Sequence, residues 1–577
     1  MNNTTTRKEL SSQFLKKNHC AFFAALAVSI LTGTIGLLAS WILKEFIDLL
    51  SGQSNFTLME LIYICLAFLV AALILTAVDY ASRPSFISRA MRQYKDKAFS
   101  LLSSKNISTF RKETTSTYLS ALTNDAASIE NDYVSSILPI CTKTVQFLGA
   151  LIMMLIYSPL LTGCSLLILI IPALVSVITG KKMASIQKEV SDRNTGFVSS
   201  VTDCLSGFQV IKSFRAEKDA FRLFSEEDRK LENTKCRLHK ISGLAGALGG
   251  ISGLITQLGV FIVGSYLALK GGSLTAGSVL MFVNLLNFMI TPLSDFPKLL
   301  AGRKASSGLI GKLASSLDLN NSTTGSESVK SVGDGISFEN VSFSYDGEKN
   351  VLHDISCDLL PGRSYAVVGS SGSGKSTFLN LLTAGSNGYL GNIRIDGKEL
   401  RDISPDSLYD LMTVIQQNVF IFNSSIKDNV TMFKDFPEEK VTDALNKAHL
   451  EDLIRERGSS YLCGENGNGL SGGEKQRISI ARSLLKDSSI LLADEVTSAL
   501  DAKTSHEVIN EILDLDSMTR IVVTHTLDEA TLNRYDEILV IKDGTIEEKG
   551  SFTNLMQNNG YFKALFTVAN GDPALAS

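Results

Sequence analysis

One glycine-rich octapeptide has the residue types and spacing that hold the phosphates of a nucleotide. Its members are Gly369, Ser370, Ser371, Gly372, Ser373, Gly374, Lys375 and Ser376, which fit G-x-x-x-x-G-K-[ST] at every fixed position. The apolar residues 364–368 predict a strand before it, and the periodicity of residues 376–382 predicts a helix after it. In that setting backbone N–H groups face the phosphates, Lys375 reaches the β and γ oxygens, and the Ser376 hydroxyl ligates Mg²⁺. The alternative is a flexible Gly/Ser turn.

Two further apolar runs end in side chains that could act on a nucleotide. Residues 489–493 lead to Asp494 and Glu495, a pattern typical of a buried parallel strand that brings carboxylates to a nucleotide site. Asp494 would hold Mg²⁺ through water, and Glu495 could polarise the attacking water as a general base. Residues 520–524 lead to His525, whose imidazole could touch the γ-phosphate. The alternatives are an Asp-Glu pair at a helix start and a structural histidine.

The composition of the chain changes along its length. Long apolar runs dominate residues 1–301, whereas short apolar strands, Gly-rich turns and amphipathic helices alternate beyond residue 306. This break predicts an all-α membrane domain followed by a soluble α/β domain. The formal net charge of −4 gives no electrostatic footprint for nucleic acid, so we expect no nucleic-acid partner. The eight cysteines are scattered singly, which favours reduced side chains over a metal or redox site.

The apolar runs of the first half are long enough for six membrane spans. The predicted spans cover about residues 21–43, 58–80, 133–157, 159–180, 241–269 and 278–299. The first run is too long for the core of a signal peptide and has no small-residue cleavage site after it, so we interpret it as a retained helix. The predicted domains are a transmembrane domain over residues 1–310, a linker over 311–335, a nucleotide-binding domain over 336–565 and a tail over 566–577.

Basic residues are concentrated in the two long segments that follow the second and fourth spans. Arg83, Arg89 and Arg92 belong to the first segment, and Lys181 and Lys182 to the second. The positive-inside rule then places these segments, both termini and the soluble domain on the cytosolic side of a cell membrane. Each segment predicts two antiparallel helical arms of ~25 residues that extend ~38 Å from the bilayer.

Several polar side chains fall within the predicted spans. They are Asp79, Lys143, Gln146, Gln257, Asn284, Asn287 and Asp295. Such groups are costly in hydrocarbon and usually face a cavity or each other, which makes them candidates for a translocation pathway. Lys143 is the sharpest candidate because it lies about ten residues into the third span, although snorkelling or pairing with a carboxylate would also explain it. Asp79 could simply be interfacial.

A second, more specific motif follows the octapeptide about a hundred residues later. It is Leu470-Ser471-Gly472-Gly473-Glu474-Lys475-Gln476-Arg477. With this motif the chain resembles, over nearly all its length, an ATP-binding cassette (ABC) exporter half-transporter. The resemblance implies six helices of the type-1 exporter fold with long cytosolic arms, fused to one α/β P-loop ATPase cassette. It also implies a dimer, since Ser471, Gly472 and Gly473 would complete the ATP site of a partner cassette.

The resemblance assigns further residues to the ATP site. Tyr345 matches the aromatic that stacks on adenine, Gln416 the glutamine that senses Mg²⁺ and the interface, and Asp501 the dimer-contact loop. The expected nucleotide-binding set is Tyr345, Gly369, Ser370, Ser371, Gly372, Ser373, Gly374, Lys375, Ser376, Thr377, Gln416, Ser471, Gly472, Gly473 and Asp494. The expected Mg²⁺ set is Ser376, Gln416 and Asp494. The expected catalytic residues are Glu495, His525 and Lys375.

In the membrane half, residues 118–125 and 207–214 resemble the two coupling regions that dock on the cassettes. The mechanism implied by the resemblance is that two ATP molecules hold the cassettes together, and that their closure moves the arms and switches the access of a central cavity. The expected cofactors are ATP and Mg²⁺. The expected partners are a second half-transporter chain, the lipid bilayer and an unidentified transported substrate.

Three functions are compatible with these features. The leading one is an exporter of a lipophilic compound, peptide or lipid in a bacterial inner or plasma membrane. The second is an importer built on the exporter fold for a metal chelate such as a siderophore, and the third is a regulatory ATPase without transport. The third is weak because six spans and two coupling regions would have no purpose in it. The sequence leaves a homodimer and an obligate heterodimer both open, and fold alone does not define direction or cargo.

Overall fold

The chain folds into two compact units. The structure, a computed structural model, describes residues 3–270, 274–318, 325–345, 347–383, 388–496 and 502–570. The first unit comprises Met1–Ser104 and Glu113–Asp318, and the second comprises Lys105–Lys112 and Leu319–Ser577. The second unit therefore includes one short segment from the first half of the chain.

The regular elements described in the first half of the chain are helices. They are α1 (Asn3–Ser12), α2 (His19–Leu50), α3 (Leu58–Ser103), α4 (Ile107–Phe110), α5 (Thr115–Leu122), α6 (Asn124–Ser128), α7 (Ile137–Tyr157), α8 (Pro159–Ser206), α9 (Phe208–Ser213), α10 (Glu217–Leu269) and α11 (Ala276–Asp318), with a π-helical turn over Ile129–Val134. A single residue separates α7 from α8. There Ser158 accepts a hydrogen bond from the Leu161 N–H, and Pro159 occupies the first helical position, where its missing N–H is harmless.

Six of the described helical segments are long and apolar enough to cross a membrane. They are His19–Leu50, Leu58–Ser103, Thr117–Tyr157, Pro159–Ser206, Glu217–Leu269 and Ala276–Leu317. Helices suit these sequences because hydrocarbon offers the backbone no hydrogen-bond partners, so each N–H and C=O must be satisfied within the segment. The prediction of six membrane helices is confirmed.

Several of these helices are far longer than a bilayer requires. α8 has 48 residues and α10 has 53, which correspond to ~70–80 Å, against ~30 Å of hydrocarbon. Beyond their apolar parts the two helices run side by side. Arg237 of α10 contacts Glu189 of α8 over 3.2 Å, and the rings of Phe197 and Phe224 lie 5.5 Å apart. The pair forms a long polar arm.

The last long helix continues past the predicted domain boundary. α11 ends at Asp318, so residues 311–318 of the predicted linker are helical, while residues 319–324 lie outside the described part of the chain. Further along the predicted linker, Glu327 forms a β-bridge with Ile403, and the Val329 N–H donates to Ser407 Oγ over 2.9 Å. This stretch is therefore anchored to the second unit ahead of its first strand.

The second unit contains two β-sheets. The strands are β1 (Ile336–Ser344), β2 (Asn350–Leu359), β3 (Ser364–Val368), β4 (Leu390–Ile395), β5 (Lys398–Glu399), β6 (Met412–Ile415), β7 (Ile490–Asp494), β8 (Thr519–Val523), β9 (Glu537–Lys542) and β10 (Thr545–Gly550). The smaller sheet is antiparallel, with the order β2-β1-β4-β5. The larger sheet has the order β10-β9-β3-β8-β7-β6 and is parallel except for β10.

Helices cover the larger sheet. The helices of this unit are α12 (Lys375–Leu382), α13 (Pro405–Leu411), α14 (Ile426–Thr431), α15 (Glu438–Lys447), α16 (Glu451–Arg457), α17 (Gly472–Lys486), α18 (Ala502–Leu513), α19 (Glu529–Leu532), α20 (Phe552–Gln557) and α21 (Tyr561–Ala569). The last helix runs into the predicted tail, of which residues 571–577 are not described. All residues of β3 and β8 are buried, as expected for strands covered on both faces. The carboxyl ends of the parallel strands meet at one edge, where such sheets bind ligands.

The short segment that joins the second unit differs from the one suggested by the sequence resemblance. α4 belongs to Lys105–Lys112, and its Ile107 N–H donates to the Tyr409 hydroxyl over 3.1 Å. Within the expected region 118–125, by contrast, Tyr118 and Ala121 are buried inside the first unit. The docking segment is thus about ten residues earlier in the chain. The other expected region forms α9, which has no buried residue in the single chain.

Candidate nucleotide site

The phosphate-binding loop connects β3 to α12, as predicted. Two glycines have a conformation or packing that a side chain would not permit. Gly374 has φ +105° directly before α12, and a Cβ atom on Gly369 would lie 2.1 Å from the Ile541 carbonyl oxygen. The hydroxyl of Ser373 is buried and has no hydrogen-bond partner among the described residues. An unpaired buried hydroxyl in this loop fits a site that binds phosphate oxygens.

Lys375 points back into this loop. Its Nζ donates to the carbonyl oxygens of Gly369 over 3.0 Å and Ser370 over 2.8 Å. Burial lowers the pKa of Lys375, and the nearby carboxylates of Glu495 and Asp494 oppose that shift. The ammonium group therefore lies in the loop where the β and γ phosphates would be bound. In this structure it donates to carbonyl groups of the same loop.

Asp494 is the last residue of β7, and it faces the start of α12. Ser376 Oγ donates to Asp494 Oδ1 over 3.3 Å. Burial raises the pKa of Asp494, and the hydrogen bond from Ser376 acts in the opposite direction. A hydroxyl and a carboxylate at this distance supply the oxygen ligands that suit Mg²⁺, so the residues fit the metal that the sequence implied.

Glu495 follows Asp494 in a left-handed backbone conformation. Its φ is +51°, an arrangement that costs about 1 kcal/mol for a residue with a side chain, and its N–H donates to the Val523 carbonyl over 3.1 Å. Glu495 Oε1 lies 2.9 Å from His525 Nε2, and Oε2 accepts a hydrogen bond from Gln417 Nε2 over 2.5 Å.

The glutamine that contacts this carboxylate is Gln417. Gln416 and Gln417 both follow β6 and both are exposed, and the hydrogen bond to Glu495 Oε2 comes from Gln417. The resemblance assigned the sensing of Mg²⁺ and the interface to Gln416, and that role stays a prediction. The sequence analysis did not single out Gln417, because its contact depends on how the segment after β6 lies against the end of β7.

Tyr345 lies just beyond the end of β1. Its ring is 65% exposed and packs edge to face on Phe343, with the ring centroids 4.9 Å apart. The hydroxyl lies 3.2 Å from Thr377 Oγ1 at the start of α12. The structure therefore brings an accessible aromatic ring next to the helix that follows the phosphate loop, a position compatible with stacking on an adenine base.

The Ser471-Gly472-Gly473 segment forms the N-terminus of α17. Ser471 is the N-cap, and its hydroxyl accepts from the Glu474 N–H while the Glu474 carboxylate accepts from the Ser471 N–H over 2.6 Å. In the described part of the chain the polar contacts of Ser471 are those of this capping box, and they do not include the phosphate loop. Asp501 lies outside the described residues.

The polar residues of the membrane spans form pairs. Lys143 Nζ of α7 lies 2.6 Å from Asp295 Oδ2 of α11, and Gln257 Nε2 of α10 donates to Asn287 Oδ1 of α11 over 2.6 Å. The other predicted residues have local partners or exposed positions. Asp79 pairs with Arg83 one turn along α3, Asn284 donates to the Leu280 carbonyl, and Gln146 is partly exposed one turn beyond Lys143.

Comparisons with known proteins agree with this architecture. The family model described as ABC transporter transmembrane region matches residues 22–293, and the one described as ABC transporter matches residues 352–498. The chain is 31% identical to the ABC transporter ATP-binding protein YwjA of Bacillus subtilis (strain 168), over 79% of this chain and 80% of that protein. It is 30% identical to an ATP-dependent lipid A-core flippase of Shewanella denitrificans, over 81% of this chain and 78% of the relative.

A solved structure has the same fold. It is the structure of a bacterial Atm1-family ABC exporter with ATP bound, which superposes with a TM-score of 0.83 at 21% identity and covers 97% of this chain and 99% of its own. The combination of a six-helix membrane domain, a P-loop cassette and two extensively matched relatives leads to one conclusion. The chain belongs to the ABC transporter family, as a half-transporter of the exporter fold that couples ATP hydrolysis to transport across a membrane.

Proposed function

We propose that two copies of this chain form an ATP-driven pump that exports an amphipathic, lipid-like molecule from the cytosolic side of a bacterial membrane. The observation that carries the proposal is the position of Glu495 between Gln417 and His525 at the edge of the parallel sheet. The two oxygens of this carboxylate contact Gln417 and His525 rather than the proposed metal ligands Ser376 and Asp494. A carboxylate in this position suits a general base acting on water. Each chain then contributes a complete set of hydrolytic side chains.

Two surface features of the chain support a dimer. The N-terminus of α17 offers the Ser471 hydroxyl and the N–H groups of Gly472 and Gly473, which suit a phosphate but lie outside the polar contacts of the chain's own loop. α9 and its C-cap expose Phe208, Val210 and Phe214, with 56%, 60% and 80% of each residue accessible. A second chain that covers both features would complete two ATP sites and bury these apolar side chains.

The chemistry of each site follows from its own residues. Tyr345 stacks on the base, the phosphate loop and Lys375 hold the β and γ phosphates, and Ser376 with Asp494 would hold Mg²⁺. When bound, Mg²⁺ neutralises part of the charge on the phosphate oxygens. Glu495 accepts a proton from the attacking water, and His525 and Gln417 keep its two oxygens oriented. The Ser471 hydroxyl of the other chain binds the γ-phosphate and makes hydrolysis depend on cassette closure.

The orientation is inferred from the membrane half, and the direction and cargo are inferred from the names of relatives. The basic segments after spans two and four place the cassette and both termini in the cytosol. Several relatives carry the name ATP-dependent lipid A-core flippase, including one from Yersinia pestis bv. Antiqua that is 28% identical over 91% of both chains. These names favour an amphipathic cargo over a metal chelate. Uptake of a chelate and pairing with a different half-transporter are the competing outcomes of the test.

The test uses the full chain, purified and placed in inside-out proteoliposomes with the cassettes outside. We expect ATP hydrolysis by this chain alone, with kcat reduced ~100-fold or more by Glu495→Gln and nucleotide binding retained. Glu438→Gln is the matched control, because Glu438 is exposed and pairs with Lys427 on the surface. ATP should drive a fluorescent amphiphile into the lumen. Efflux of a preloaded chelate would instead indicate import.

Binding of nucleotide without hydrolysis would contradict the homodimer. In that case each catalytic set would need a different partner chain. Hydrolysis without ATP-dependent movement of any amphiphile would contradict the assignment of cargo and leave the ATPase assignment standing.

A further inference from the structure

A polar stripe runs along one face of α11 inside the membrane. Its members are Asn284, Asn287, Thr291 and Asp295, and Lys298 follows on the same face toward the cytosolic end of the helix. Their spacing of three and four residues places them on the same side of the helix. The fully buried residues Phe282, Leu285, Leu286 and Met289 occupy the opposite side. α11 is therefore amphipathic at a depth where hydrocarbon would normally surround it.

Two neighbouring helices contribute polar groups to this stripe. Lys143 of α7 forms the 2.6 Å ion pair with Asp295, and Gln257 of α10 forms the 2.6 Å hydrogen bond with Asn287. The ion pair is reachable from outside the chain, since 21% of the Lys143 side chain and 43% of the Asp295 side chain are exposed. The stripe thus carries one anion, its cation and an amide pair two turns away.

A different ion cluster in the same unit shows what a structural pair looks like. Lys44 contacts Glu45 over 2.7 Å and Asp48 over 3.0 Å, and these side chains are only 11%, 9% and 2% exposed. Asp48 also accepts hydrogen bonds from Thr275 and from the Gly277 N–H. That cluster is enclosed and its acceptors are used. The Lys143–Asp295 pair is open and has a single ionic contact.

The depth of the open pair places it within the spans. Lys143 lies 14 residues before Tyr157, the outer end of α7, which corresponds to ~21 Å of helix, and Asp295 lies 19 residues after Ala276, or ~28 Å. With ~30 Å of hydrocarbon, both groups lie in its cytosolic half. Charged groups there are costly unless paired, and they usually mark the path of a substrate.

We propose that Lys143 and Asp295, with Gln257 and Asn287, bind the head group of a zwitterionic amphiphile. The inference rests on the proposed function, because it names the cargo class of that pump. A ligand with one net charge would pair with one member of the ion pair and leave the other uncompensated in a medium of low dielectric constant. A zwitterion exchanges partners with both. Its ammonium group binds the more exposed Asp295, its phosphate or carboxylate binds Lys143, and no charge is left unpaired.

The test measures both binding and turnover with three classes of amphiphile. The probes are short-chain phosphatidylethanolamine, an N-terminally free acylated peptide with a free carboxylate, short-chain phosphatidylglycerol and an alkyl trimethylammonium salt. The first two share the zwitterionic chemistry and distinguish a lipid from a peptide source. Wild-type protein in phosphatidylglycerol vesicles should show ATPase stimulation by a zwitterionic probe. Thermal shifts of the detergent-solubilised protein with each probe report binding independently of hydrolysis.

The variants should change the preferred charge in a defined direction. Lys143→Gln leaves the carboxylate unpaired and should favour the cationic probe, whereas Asp295→Asn leaves the ammonium unpaired and should favour the anionic one. Each single variant should lower the affinity for the zwitterionic probes by about tenfold. The exchanged double variant K143D/D295K should recover most of that affinity because both charges are restored. Asp79→Asn is the matched control, since Asp79 pairs with Arg83 within α3 alone.

Two results separate the inference from the function on which it rests. If wild-type protein hydrolyses ATP through Glu495 but the Lys143 and Asp295 variants keep the wild-type affinity and charge preference, the head-group site is wrong and the pump stands. If wild-type protein lacks Glu495-dependent hydrolysis, the proposed function fails, and the thermal shifts still decide whether the pair selects zwitterions.

Discussion

The side-chain amide of Gln417 donates to Oε2 of Glu495 over 2.5 Å, while His525 lies 2.9 Å from the other carboxylate oxygen. Gln417 follows β6, and β6 pairs in parallel with β7, which ends at Asp494 directly before Glu495. Two neighbouring strands thus bring an amide and a carboxylate to one edge of the sheet. The position of the proposed general base depends on the segment after β6 as well as on its own strand.

Replacement of Gln417 should therefore impair hydrolysis. Gln417→Ala removes one of the two groups that orient Glu495, and we expect kcat to fall ~10-fold with a smaller change in the apparent affinity for ATP, since loss of one such hydrogen bond is worth about 1–2 kcal/mol. Asn418→Ala, at the exposed position after Gln417, is the control. Initial rates at varied ATP check the prediction, and equal losses in both variants would contradict the assignment of Gln417.

Tyr409 connects the docking segment to the same carboxylate. Its hydroxyl accepts from the Ile107 N–H, and its helix α13 leads directly into β6 and then Gln417. Lys486 holds this turn by donating to the carbonyl oxygens of Tyr409 and Met412. Tyr409→Phe should reduce the stimulation of ATPase by cargo several-fold, with little change in the basal rate.

A second tyrosine separates this effect from general loss of a hydrogen bond. Tyr389→Phe removes a 2.7 Å hydrogen bond to Glu399 inside the second unit, away from the docking segment. Both variants should lose about 1 kcal/mol of stability, but only Tyr409→Phe should change stimulation. ATPase assays with and without cargo, together with thermal unfolding, measure both quantities. Equal stimulation in the two variants would show that Tyr409 only supports the fold.

Asp494 should reduce the stability of the nucleotide-free protein. Burial raises the pKa of Asp494 above its value in the unfolded chain, so the ionised carboxylate is disfavoured in the folded state. The folding stability that the protonated Asp494 contributes is present below the pKa of the unfolded chain, about 3.9. It is lost as the pH rises through the pKa of the folded protein. Asp494→Asn should therefore raise the melting temperature at neutral pH, and this gain should shrink as the pH is lowered.

The same variant should lose the additional stabilisation that Mg²⁺ and ATP give to the wild-type protein, because one of the two proposed oxygen ligands becomes neutral. Melting curves with and without Mg²⁺-ATP at several pH values check both parts. A nucleotide-free variant that melts below the wild-type protein at neutral pH would contradict the first part.

Asp48 should be important for the stability of the membrane unit. It is 1% exposed, and it accepts hydrogen bonds from Thr275 over 2.9 Å and the Gly277 N–H over 3.0 Å in addition to its contact with Lys44. Asp48→Asn should reduce stability by about 1–3 kcal/mol. Glu232→Gln breaks an exposed pair with Lys235 and should cost about 0–1 kcal/mol. Thermal unfolding in detergent measures both, and similar losses would contradict the role of the Asp48 cluster.

Local sequence was sufficient for the features whose physics is local. The glycines of residues 369–376 match the pattern of a phosphate-binding loop, and the flanking strand and helix follow from short-range periodicity. The six membrane helices were also predictable, because apolar runs of sufficient length must satisfy their own backbone in hydrocarbon. Asp494, Glu495 and His525 were found because each ends an apolar strand, and strand ends of a parallel sheet share one edge.

Pairing across the fold was not predictable in the same way. The contact of Gln417 with Glu495 depends on how the segment after β6 lies against the end of β7, and the docking of Ile107 depends on the position of Tyr409 about 300 residues later. For Lys143 the sequence left open a role in the translocation pathway, snorkelling and pairing with a carboxylate, and only the packing of α7 against α11 brought Asp295 within 2.6 Å. Chain composition determines which segments become helices, strands and phosphate loops, because those choices depend on neighbouring residues. The partners of individual side chains depend on contacts between distant segments, and these exist only in the tertiary structure.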